Sequence, residues 1–75
     1  MERYLNLDGK SGVLCYELGS DYIIVQFKDY GVYTYTYRSA GQYNVERMKE
    51  LAIAGKGLNH YIMMYCKTLY ASKVR

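Results

Sequence analysis

Proline and tryptophan are absent from this 75-residue chain, phenylalanine and histidine occur once each, and cysteine occurs twice. Without proline there is no Pro-rich linker or recognition segment. Cys15 and Cys66 form no Cys-x-x-Cys pair and are too few for a disulfide framework, so both read as small buried hydrophobes. Together with the lone His60 they have no ligand-like spacing, and no metal or cofactor is expected. No apolar run approaches the ~20 residues that cross a bilayer. The stretch Met1-Glu2-Arg3-Tyr4-Leu5-Asn6 also lacks the continuous apolar segment of a signal peptide. The expectation is a cytoplasmic protein without membrane contact. Dense Lys/Arg blocks are missing too: ten basic residues against seven acidic ones give a net charge of +3, a weak bias towards acidic partners.

What the chain does have is tyrosine, eleven in all, within a composition that is 51% hydrophobic. That is globular rather than disordered. Residues 1–75 read as a single domain with an ordered core over about 11–70. A domain this small buries only roughly 60% of its unfolded surface, which makes support from a partner or from self-association plausible.

Residues 1–12 read as irregular, ending in the turn-rich Asp8-Gly9-Lys10-Ser11-Gly12. A strand is predicted over Val13–Leu18, closed by Gly19-Ser20-Asp21. A second covers Tyr22–Lys28, with Ile23, Val25 and Phe27 in alternation and Gln26 and Lys28 opposite. The loop Asp29-Tyr30-Gly31 follows, with Gly31 able to take a positive φ. The third strand, Val32–Arg38, places Tyr33, Tyr35 and Tyr37 on one face and Thr34 and Thr36 on the other. The period then changes to that of a helix. Ser39 is the expected N-cap, with Gln42 in capping-box spacing. Val45, Met48, Leu51 and Ala52 mark the apolar side of the first helix, which Gly55-Lys56-Gly57 stops. Asn59 opens a second helix with an apolar stripe of Leu58, Tyr61, Ile62, Tyr65, Cys66 and Leu69. The basic tail, Ala71–Arg75, is expected to fray. The fold class is α+β: a three-stranded antiparallel meander followed by two helices packed on one face (β-β-β-α-α).

This order of features resembles the KTSC domain, a short module found alone in bacterial and phage proteins and at the C-terminus of some lysyl-tRNA synthetases. Tyr33-Thr34-Tyr35, or Tyr35-Thr36-Tyr37, matches its central Tyr-x-Tyr strand, and Tyr16-Glu17 its Tyr-acid pair. Gly55-Lys56-Gly57-Leu58-Asn59-His60-Tyr61-Ile62 fits its Gly-x-x-Phe-Asn-x-x-Ile run, with Leu58 in place of Phe. The likeness spans roughly Ser11 to Tyr65. Two positions depart from it: Ser39-Ala40-Gly41 stands where the family has Val-Pro, and Ile53 where it has Ser. The resemblance implies RNA binding, the role proposed for the family.

A row of strand tyrosines can be half of a core, a platform on which bases stack, or part of a protein interface. On the binding reading, a base-containing anionic ligand such as RNA stacks on Tyr33, Tyr35 or Tyr37. Its phosphates meet Lys28, Arg38 and Lys56, with Asn59 and His60 beside the glycine turn. That turn lacks P-loop spacing, and a tight helix connection explains its glycines better than an anion site does. The rival reading is a self-associating protein-interaction module, such as a phage or bacterial accessory protein that inhibits a host factor. It would pair as a homodimer, or grip the host protein, through Met63, Met64 and Tyr70 on the outer side of the second helix. No nucleophile–base pair stands out, and Glu46 and Glu50 share a helix face with Arg47 and Lys49 as a solvated surface would. The chain is therefore read as non-enzymatic.

Overall fold

The computed structural model describes residues 1–7 and 9–74. Asp8, from the turn-rich segment, and Arg75, the end of the basic tail, lie outside the described residues. The alternating apolar positions form strands β2 (Val13–Leu18), β3 (Tyr22–Phe27) and β4 (Val32–Thr36), which pair as an antiparallel meander. Two further strands extend it: β1 (Glu2–Arg3) lies against β2, and β5 (Ser72–Val74) lies against β4. The sheet is thus five-stranded and antiparallel throughout, in the order β1-β2-β3-β4-β5, and not the three-stranded meander expected from the sequence. Strands of two and three residues are too short to show a period. They exist because they pair, with the Tyr4 and Ala71 amides donating to Leu14 and Thr34 carbonyls at 3.1 and 2.7 Å. The basic tail, through Val74, is an edge strand rather than a frayed end.

The tyrosine strand is also shorter than its alternation suggests. The Thr36 hydroxyl accepts from the Ser39 amide and the Ser39 hydroxyl from the Thr36 amide, both at 3.0 Å. This reciprocal capping box makes Thr36 the N-cap, so a short helix α1 (Tyr37–Ala40) begins three residues before the expected start. Helix α2 (Gln42–Ala54) follows with Gly41 as its cap residue. It buries Val45, Met48 and Ala52 and ends where Gly55 adopts φ +81°. A Cβ at Gly55 would lie 2.7 Å from Leu5 Cβ, so glycine is needed there for room as well as for conformation. In the hairpin between β3 and β4 the positive φ falls on Tyr30 (+70°), not on Gly31. A left-handed tyrosine costs roughly 1–2 kcal/mol. Gly31 is instead a matter of space: a Cβ would approach Asp29 Oδ1 and Tyr33 Cε1 at 3.1 and 3.2 Å.

The last helix starts as α3 (Leu58–Tyr61) and widens into a π-helical turn over Ile62–Cys66. Leu58, Ile62 and Cys66 are all fully buried at a spacing of four. In an α-helix such a repeat drifts around the axis, and the wider turn reverses that drift. The same change turns Tyr65 outwards, 60% exposed, although the α-helical stripe had placed it inside.

The helices cover the tyrosine face of the sheet. Val13, Tyr16, Ile23, Val25 and Tyr35 meet the buried helical residues there in one hydrophobic cluster. Tyr4 joins them, its hydroxyl accepting from the Leu58 amide at 3.3 Å. Lys49 ties α2 to the β2–β3 turn through the Ser20 carbonyl (3.0 Å) while pairing with Glu46 at 2.8 Å. A bulge between Val13 and Cys15 lets Val13 and Tyr16 both face inwards. It also moves Cys15 to the uncovered face, half-exposed and bonded through its thiol to Gln26 Oε1 (3.1 Å), rather than into the core as expected.

Candidate ligand-binding cleft

Between the β3–β4 hairpin and the last helix the packing leaves a cleft of about 540 Å³. One wall is aromatic. Tyr33 lies parallel to Tyr35 (centroids 6.4 Å apart, interplanar angle 12°) and meets Phe27 and Tyr70 edge-on at 5.3 and 5.1 Å. Phe27 and Tyr33 belong to adjacent antiparallel strands, and Tyr70 is carried over them by the chain entering β5. Lys73 from β5 sits over the Tyr33 ring, 5.5 Å from its centroid. The facing wall is the last helix with its exit, presenting Asn59, Met63, Lys67 and Thr68; Lys28 and Asp29 stand at the hairpin end. Burial holds the Tyr35 phenol proton more tightly than usual, and neighbouring Tyr33, Cys66 and Tyr70 add to the effect.

A second hollow of about 260 Å³ adjoins the first, and Asn59 and Met63 line both. Lys10, Lys56 and His60 surround it. Its loop is held by its own side chains: Asn6 Oδ1 accepts from the Ser11 amide and Ser11 Oγ from the Val13 amide, both at 3.0 Å.

The structure thus brings Tyr33, Tyr35, Lys28 and Asn59 to one cleft, and adds Met63 and Tyr70, which the sequence had suggested as an outer interface. Lys56 and His60 line the second hollow. Tyr37 and Arg38 are elsewhere, because the chain turns into α1 after Thr36. Tyr37 donates to Glu46, which holds its phenol proton more tightly, while Lys49 with Tyr37 holds the Glu46 carboxyl below its usual range. Arg38 is exposed, and Met64, 61% exposed, points away from the cleft. Phe27, Lys67 and Lys10 were not nominated from sequence. Lys67 follows Met63 by four residues, a spacing that shares a helix face. Lys10 lies in a loop without any period to betray it.

Among the described residues, no group of three or more His, Cys, Asp or Glu side chains is arranged to hold a metal ion, and no helix is long and apolar enough to cross a membrane. Comparison with protein-family models, with curated proteins and with solved structures finds no match.

Proposed function

We propose that this chain is a non-enzymatic binding domain whose cleft takes a flat, anionic, base-containing ligand such as a nucleotide or a base of single-stranded RNA. The observation that carries the reading is the aromatic wall of Phe27, Tyr33, Tyr35 and Tyr70 facing the last helix and Lys67 across about 540 Å³, with Lys28 and Asp29 at the hairpin end. Pockets of about 300–1,000 Å³ with apolar walls and a few polar groups are the usual size for small organic ligands. Aromatic rings accept any base, and lysines at the rim attract phosphate. The tyrosine face is covered by helices, so the geometry favours one or two bases inserted from the side over a strand laid across the sheet. The KTSC-like residues point the same way, since Tyr33 and Tyr35 of the Tyr-x-Tyr motif form part of the aromatic wall.

Anisotropy of a labelled single-stranded oligoribonucleotide at low and high salt tests this. Binding should weaken as salt rises. Tyr33→Ala should weaken it by about tenfold or more, the usual worth of one stacked base. Arg38→Ala should leave it unchanged. Absence of binding at either salt would sink the proposal. Self-association is the competing reading, favoured by Met64 and Tyr65 standing exposed side by side at 61% and 60%. A dimer by light scattering that Met64→Lys dissolves would favour that reading.

A further inference from the structure

We infer that the two hollows form one bipartite site, with an aromatic compartment for a ring and a cationic compartment for its phosphate. The unit recognised is then a nucleoside monophosphate, bound as the free nucleotide. This rests on the reading of the cleft as a base site and adds a phosphate position to it.

Three observations carry the inference. The compartments are adjacent, with Asn59 and Met63 lining both. Gly12 lines the larger hollow beside the shared Asn59: a Cβ there would stand 3.9 Å from Asn59 Oδ1 and 4.0 Å from Phe27 Cδ1, so glycine keeps the approach to that amide open. Their linings differ. Four aromatic rings line the larger hollow, together with Lys28, Lys67 and the Asp29 carboxylate. Among the described residues, the ionisable groups lining the smaller one are, apart from the Tyr4 phenol, Lys10, Lys56 and His60, with no carboxylate. A ring is favoured in the first, where it can stack, and an anion in the second, where no described acid offsets the lysines.

The junction suits a sugar. Asn59 offers both a carbonyl acceptor and an amide donor, the pair needed to engage ribose hydroxyls on their way from ring to phosphate. Next to Lys10, the Ser11 amide donates to Asn6 Oδ1 and the Ser11 hydroxyl accepts from the Val13 amide. Lys10 and Lys56 are exposed and contribute nothing to the core, so they can be replaced without disturbing the fold.

Calorimetric titration of the intact protein with the four nucleoside 5′-monophosphates, the four nucleosides and inorganic phosphate tests the assignment. At least one monophosphate should bind about tenfold or more tightly than its nucleoside, the usual worth of charge-assisted hydrogen bonds to a phosphate. In a Lys10→Gln, Lys56→Gln double variant that gap should close while nucleoside affinity holds, and thermal melting should confirm an intact fold. Equal affinity for nucleoside and monophosphate would overturn the phosphate compartment and leave the base cleft standing. So would a gap that survives the double variant, since the phosphate would then lie elsewhere. A strand requirement would show as oligoribonucleotide binding with no monophosphate binding, and it too would overturn the assignment. Failure of nucleoside, monophosphate and oligoribonucleotide alike would remove both readings together.

Discussion

Tyr35 has 1% of its surface exposed and keeps its phenol proton well above the ordinary pKa of 10.0, chiefly because burial disfavours the phenolate. The unfolded chain releases that proton near pH 10, whereas the folded chain holds it. Stability linked to this group is therefore complete below about pH 10 and is lost as pH rises towards the folded value. Burial raises the Cys66 thiol in the same sense. Urea unfolding midpoints should fall between pH 9 and pH 11, and Tyr35→Phe should lessen that fall by removing one contributor. An undiminished fall in the variant would show that this phenol is not the group responsible. The burial that makes Tyr35 a pH-sensitive residue also removes it from any open stacking platform. That outcome could not be read from the Tyr-Thr alternation, which defines two faces without saying which one is covered.

At the scale of elements, the three central strands of the five-stranded sheet and α2 were legible because each repeats a period long enough to stand out, whereas the last helix was placed without its change of pitch. The shortest elements were not legible. β1 and β5 carry only exposed side chains, so no hydrophobic pattern marks them. The boundary at Thr36 depends on a hydroxyl exchange with Ser39 that competes with continuing the strand. The π-helical turn arises because Leu58, Ile62 and Cys66 share one core, a tertiary demand that overrides α-helical spacing. Gly55 is the element-scale position most exposed to substitution. It ends α2 in the left-handed region and lies against Leu5. Gly55→Ala should destabilise the protein by more than about 1 kcal/mol, the penalty of a left-handed alanine plus the displacement of Leu5. Chemical denaturation measures this, and a variant within about 0.3 kcal/mol of the parent would contradict the close approach.

For the molecule as a whole, the decisive fact is that helices cover one face of the sheet only. The two thiols report on the two faces: Cys66 is in the core and Cys15 is half-exposed on the other side. Native protein should titrate one thiol rapidly with dithionitrobenzoate and the second only as it unfolds, with Cys15→Ser removing the rapid phase. Equal rates for both would mean that the helical layer does not seal the core. The same one-sided layering creates the cleft, since the last helix leaves the sheet beside the hairpin and the chain returns through Tyr70 to β5.

The sequence by itself determined the three central strands, the main helices and their order, because those depend on local spacing and composition. It also nominated Tyr33, Tyr35, Lys28 and Asn59 as binding residues. Tertiary structure alone decided that Tyr33 and Tyr35 border a cleft while Tyr37 does not, that Cys15 leaves the core through a bulge, and that Lys10 and Lys67 join residues distant in the chain. Such outcomes depend on which surfaces meet when strands pair and helices dock, and no repeat along the chain encodes them.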